Sequence, residues 1–183
     1  MWTVPRISGA ALAVVLLLSG CVPTPSRASP PPKPRTTPVF TSEAEALAAA
    51  TKAYAAYVKV SDEILADGGK NPERIEGVAS GAQLKADFSG FESARKAKVH
   101  SIGSTAFESV VLQSYDPQQA DALIAVYLCE DVSNVNVVDD SGNSIVVPSR
   151  PDRVKYQVIF DKSNRRALDL LVADKSSWGD GSC

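Results

Sequence analysis

Along residues 43–160 the spacing of apolar side chains switches from a period near 3.6 to a period of 2. That switch limits the chain to folds that lay down helices first and an antiparallel sheet afterwards. Ser42-Glu43-Ala44-Glu45 reads as a capping box. Small or apolar residues then recur at 44, 47, 48, 51, 54, 55, 58 and 65, which predicts a helix over 43–66. Gly68-Gly69 ends it, and Asn71-Pro72 opens a short second helix over 72–77. Ser80 caps a third, in which Leu84, Phe88, Phe91 and Arg95 fall at helical spacing and Gly90 is a weak point costing about 1 kcal/mol relative to alanine. From Phe107 to Tyr115 β-formers dominate until Asp116-Pro117. Residues 122–138 are apolar on both faces, as a central strand is. Asp139 to Asn143 form a turn, and Ser144–Val147 a short edge piece. Val154, Tyr156, Val158 and Phe160 alternate with more polar neighbours, and a last strand is expected over 167–173. The fold class expected is α+β, with N-terminal helices packed on a curved antiparallel sheet.

Ahead of this domain, Arg6 precedes an apolar run from Ile7 to Leu18 that ends in Ser19-Gly20, the pattern of an export signal over residues 1–20. The run is well short of the roughly 20 residues that span a bilayer. Leu18-Ser19-Gly20-Cys21 resembles the lipobox of bacterial lipoproteins, a resemblance that implies a lipidated Cys21 and a mature chain held at the extracytoplasmic face of the cell membrane. The alternative is a plain secretory signal that ends beside a cysteine. Two acyl chains, each buried CH2 contributing about 0.8 kcal/mol, anchor where one is marginal. Seven of the chain's twelve prolines lie between Val22 and Phe40, so residues 21–41 read as a lipidated cysteine and an extended linker reaching up to about 60 Å. The PPKP run admits a second reading, a ligand for an SH3-like partner.

Cysteine and charge add two constraints on the domain at 42–183. With Cys21 assigned to lipid, Cys129 and Cys183 remain as an even pair that an oxidising exterior would join, the alternative being two unrelated thiols. All 21 acidic residues but only 15 of the 19 basic ones lie beyond residue 40, leaving the domain near −6. An acidic domain without a basic stripe repels phosphate backbones, which excludes nucleic acid as a partner.

The helix-then-sheet order resembles the NTF2-like, or cystatin-like cone, domains of actinobacterial lipoproteins over about residues 42–178. ASGAQL at 79–84, CED at 129–131 and VNVVDDSGNSI at 135–145 carry the resemblance. The chain departs from larger members in lacking a hairpin between the second and third helices, and Trp178 falls past the last strand. The preferred function is a noncatalytic binding or assembly module with an envelope or membrane protein partner, because no nucleophile-base pair, metal spacing or phosphate loop accompanies the anchor and linker. A bare structural spacer is a third class, and the resemblance implies the alternative, a small SnoaL-like enzyme using a carboxylate in the cone cavity. Such enzymes use paired Asp and His, and the only histidine, His100, lies beside Lys98 at a helix-to-strand junction, where a solvated or capping role is expected. No catalytic residue is assigned. Glu130 and Asp131 are the carboxylates to consider, because neighbouring strand residues face opposite sides and one of the two must point inward, where a hydrogen bond to a neighbouring backbone or hydroxyl group is the favoured role over that of a general base. Tyr54, Tyr57, Phe88, Phe91, Tyr115 and Tyr127 are pocket candidates, with core packing as the competing role. No cofactor or metal is expected: the cysteines and His100 lack ligand spacing, and DDSGN lacks the later bidentate acid of a calcium loop.

Overall fold

A computed structural model describes residues 40–117, 124–162, 170–181 and 183. The export signal, Cys21 and the linker up to residue 39 lie outside the described residues, as does the start of the last predicted strand at 167–169.

Helix α1 (Glu43–Ala66) begins where expected, the Ser42 hydroxyl accepting from the Glu45 amide at 3.2 Å. The Glu45 carboxylate reaches one residue further back than a capping box requires, accepting from the Thr41 amide at 2.8 Å. At the other end the Gly69 amide donates to the Ile64 carbonyl at 2.9 Å. Gly69 is needed there, since its φ is +74° and a Cβ would lie 2.1 Å from the Phe91 carbonyl oxygen of the adjacent helix. The buried stripe of α1 is Ala46, Ala50, Tyr54, Tyr57, Val58 and Ile64. The expected stripe through Ala44, Ala48 and Ala55 is corrected, because these residues face solvent. Alanine occurs on every side of this helix, so the two tyrosines and Ile64 decide which side turns inward.

A 3-10 helix (Pro72–Gly77) leads into α2 (Gly81–Ala97). Six strands follow: β1 (Val99–Ile102), β2 (Ala106–Tyr115), β3 (Ile124–Asp131), β4 (Asn136–Asp139), β5 (Arg153–Lys162) and β6 (Leu170–Ser177). The main sheet is antiparallel in the order β2-β3-β5-β6, and β1 pairs with β4 in a separate two-stranded ribbon. The architecture is thus α+β, with helices on an antiparallel sheet that bulges bend, consistent with the expected cone. Two expectations are corrected. Residues 122–138 do not form one strand: a turn at 132–135, closed by the Val135 amide on the Val132 carbonyl at 2.9 Å, sends β4 out of the main sheet. Ser144–Val147 makes only a single bridge, Ser144 to Val138.

The core lies between the helices and one face of the sheet. Ile124, Val126 and Leu128 of β3, Val158 and Phe160 of β5, and Leu170 and Val172 of β6 meet Ala46, Ala50, Tyr54, Ile64 and Phe91. Burial of each large aliphatic or aromatic side chain here contributes about 1.5–3 kcal/mol. The loop entering α2 is fastened to the sheet edge, with the Ser80 amide on the Val172 carbonyl and the Val172 amide on the Val78 carbonyl, both at 2.9 Å.

Candidate functional site

Strand alternation divides β3 into two roles. Ile124, Val126, Leu128 and Glu130 face the helices, while Tyr127, Cys129 and Asp131 face the opposite side. Glu130 is therefore the inward carboxylate, and it meets two polar side chains from other elements. The Tyr54 hydroxyl donates to its Oε2, and the Lys175 ammonium lies 3.0 Å from Oε2 and 3.3 Å from Oε1. Phe107, opposite Glu130 on β2, stacks edge-on against the Tyr54 ring at 5.0 Å.

Lys175 reaches this interior through a register irregularity. Phe160 pairs with Val172 but Ile159 with Asp174, so one residue of β6 is skipped at Ala173. Beyond the skip the alternation reverses, and Lys175 stands beside the inward-facing Val158. Its ammonium sits 4.5 Å from the Tyr156 ring centroid and 5.9 Å from that of Tyr57, so two aromatic faces add to its stabilisation.

A second carboxylate lies nearby on α2. Asp87 Oδ1 accepts from the Tyr57 hydroxyl at 3.0 Å and from Gln83 Nε2 at 2.7 Å, while Gln83 Nε2 also reaches the Tyr57 oxygen at 2.8 Å. Asp87 Oδ2 is buried without a hydrogen-bond partner among the described residues. Burial pushes the Asp87 pKa above its ordinary 3.8, against the opposing influence of Gln83, Tyr57 and Lys175. Burial, reinforced by the neighbouring carboxylates, likewise raises both phenols and keeps Tyr54 and Tyr57 protonated donors.

The raised Asp87 pKa has a sign that can be tested. The folded state holds this proton at pH values where the unfolded chain has released it, so stability falls as pH rises from 3.8 through the folded pKa. Asp87→Asn keeps the acceptor for Gln83 and Tyr57 but removes the titration. Relative to wild type, its unfolding free energy is expected to improve from pH 4 to pH 7 in denaturant titrations, and a pH-independent difference would refute the argument.

The remaining predicted residues are not gathered into this cluster. Asp131 faces outward, where the Ser133 side chain and then the Ser133 amide, 2.9 Å from its Oδ1, hold its carboxyl below the usual range. The six aromatic candidates do not line one pocket. Tyr54 and Tyr57 supply the cluster's hydroxyls, and Phe91 is plain core with Phe88 packed against it. Tyr115 exchanges hydrogen bonds with the Phe40 backbone at 2.8 and 3.1 Å, and Tyr127 stacks on Trp178 across the outer face at 4.7 Å. Alternation along β3 and the separate faces of two helices keep these rings apart. Cys129 and Cys183 form a disulfide that fastens the C-terminal tail over the outer face of β3. The Asp139 carboxylate is used within its turn, accepting from the Ser141 and Asn143 amides at 2.9 Å.

Sequence reasoning missed Lys175, Asp87 and Gln83. Asp87 carried a readable signal, since it lies between Leu84 and Phe91 on the apolar side of α2. Tyr54, Gln83, Asp87 and Glu130 are buried in this cluster. Clefts of about 470, 420 and 490 Å3 on the described surface are lined by other residues. Among the described residues no cluster of three His, Cys, Asp or Glu side chains has metal-site geometry, and no helix is long and apolar enough to cross a membrane.

No protein family's sequence profile matches the chain, and no curated protein matches it in sequence. Solved structures do share its architecture. The intermembrane space region of the chloroplast protein ARC6 superposes with a TM-score of 0.50 at 13% identity, over 71% of this chain and 94% of that one. Aln2 from a Streptomyces species gives a TM-score of 0.45 at 14% identity, over 73% of this chain and 89% of its own. A protein from Catenulispora acidiphila gives 0.45 at 11%, over 73% and 90%. At these identities the likeness concerns the fold alone.

Proposed function

We propose that the chain is a lipoprotein, anchored through Cys21 at the extracytoplasmic face of the cell membrane, whose acidic domain is a noncatalytic binding or assembly module for an envelope or membrane protein. The observation that carries the noncatalytic part is the state of Glu130. Its charge is already met by Lys175 and Tyr54 of the same chain, inside packed side chains. A general base needs a free lone pair facing substrate, and Glu130 faces its own partners. An anchored module also gains from local concentration, so a weak contact is occupied.

Asp87 supports a second reading, a SnoaL-like enzyme, because one oxygen of this buried acid has no partner among the described residues. Two experiments decide. Labelling cells with a palmitate analogue is expected to mark wild type and not Cys21→Ser; equal labelling removes the anchor. Crosslinking in intact cells is expected to capture a specific neighbour that is lost on deleting residues 22–38, a deletion that spares the buried Phe40. A turnover detected in wild type and abolished in folded Asp87→Asn would promote the enzyme instead.

A further inference from the structure

We propose that the cleft between the C-terminal ends of α1 and α2 and the start of β1 binds a small phosphate-class anion. This cleft, of about 470 Å3, is lined by Lys70, Arg95, Lys98 and His100 together with Asp67 and Asp140. Its volume falls within the usual range of small-molecule sites, roughly 300–1,000 Å3.

Three cationic side chains and an imidazole line this one cleft. Several basic side chains elsewhere on the domain are used by carboxylates: Lys59 by Glu63, Lys96 by Glu92, Arg153 by Glu108 and Lys175 by Glu130. Lys70, Arg95 and Lys98, the three cations of the cleft, have no side-chain hydrogen bond or ion pair among the described residues, Arg95 acting on Glu92 only at longer range. Of the two acids in the cleft, Asp67 is taken by Arg74 at 2.6 Å, which leaves Asp140 alone to oppose an anion. Helix C-termini ordinarily hold cations through their free carbonyls. Here the cap amides occupy several of those acceptors: Asp67 donates to Glu63 and Leu65, Gly69 to Ile64, and Lys98 to Ala94 and Arg95. The cations are left to face the cleft.

Arg95 offers a planar fork suited to two oxygens of one phosphoryl group, and Lys70 and Lys98 add point charges. Lys98 sits at the end of α2 with a left-handed backbone, φ +56°. The domain's negative charge does not forbid a compact anion. Screening confines repulsion from distant acids to about 8 Å at physiological salt, whereas the cleft acts at contact. A polyanion laid along the whole surface would meet that repulsion throughout. The ligand chemistry is therefore a single phosphoryl group, from a soluble compound or from a lipid headgroup.

The site does not depend on the anchored-module reading, and its test needs no partner. His100, the chain's only histidine, lines the cleft and supplies an unambiguous imidazole NMR signal. The full chain in nonionic detergent micelles is titrated with inorganic phosphate at constant ionic strength, with chloride as the reference anion. A saturable shift is expected with phosphate and not with chloride. Arg95→Ala and Lys98→Asn, the latter chosen because asparagine tolerates the left-handed backbone, are each expected to weaken it about tenfold, the loss of one charge-assisted hydrogen bond. Lys59→Ala, whose ammonium serves Glu63, is expected to change nothing. Micelles doped with phosphatidic acid that reproduce the shift, reversed by free phosphate, assign the headgroup; a shift with free phosphate alone assigns a soluble ligand. A non-saturating response equal to that of chloride, or equal affinity in both cleft variants and wild type, overturns the site.

Discussion

Lys175→Met is expected to lower the unfolding free energy by about 3–5 kcal/mol, the usual result of removing one partner from a buried ion pair. Glu130 and Lys175 expose only 11% and 18% of their side chains, so water cannot replace the lost ammonium. The phenol of Tyr54 satisfies one oxygen of Glu130 but brings no charge. Glu130→Gln in the Lys175→Met background is expected to recover most of the loss, because the double variant leaves no uncompensated charge. Urea denaturation of the two single variants and the double variant measures the coupling directly. If the double variant loses as much as the two single variants combined, the residues act independently and the ion pair is not what holds this interior together.

Opening the Cys129–Cys183 bond is expected to cost about 4 kcal/mol, the chain-entropy value for a separation of 54 residues. Reduction should lower the denaturation midpoint, and Cys183→Ser should match the reduced wild type. The effect should also have a local signature. The tail holds Trp178 against Tyr127, with the Trp178 amide on the Lys155 carbonyl and the Lys155 amide on the Gly181 carbonyl, both at 2.9 Å. With the bond open, Trp178 emission should shift to the red at denaturant concentrations that leave the helices folded. Identical midpoints with and without reductant would mean that the tail is held by packing alone.

The helices were legible because their signals are local. Ser42, Gly68-Gly69 and Asn71-Pro72 mark ends that depend on a few backbone groups, and those ends lie where the sequence places them. Which face of α1 turns inward was less legible, because alanine scarcely distinguishes core from solvent. The sheet was read well where the alternation is unbroken, as along β5, whose register with β3 holds throughout, and poorly where a strand is bulged. The skip at Ala173 reverses the alternation of β6, and no local pattern in LVADK announces it. Lys175 reads as an outward lysine until its pairing with Val158 is known. Glu130 was half legible: alternation required that Glu130 or Asp131 point inward, but only the fold says which one, and only the fold supplies its partners. The cationic cleft is wholly tertiary, since residues 70, 95 and 98 form no run in the sequence.

Among the described residues β2 forms one border of the main sheet, and at ten residues it is long enough to recruit a strand from a neighbouring molecule. Its irregularities work against that. Ser109 has a φ of +55°, and the pairing with β3 slips between Glu108 and Val111 and again between Leu112 and Ser114. A second copy meeting this border would find amides and carbonyls out of step, with no run of regular ladder on which to zip. The bends that shape the sheet around its helices therefore also guard its rim, and continuous ribbons built through β2 are disfavoured even where many copies crowd together.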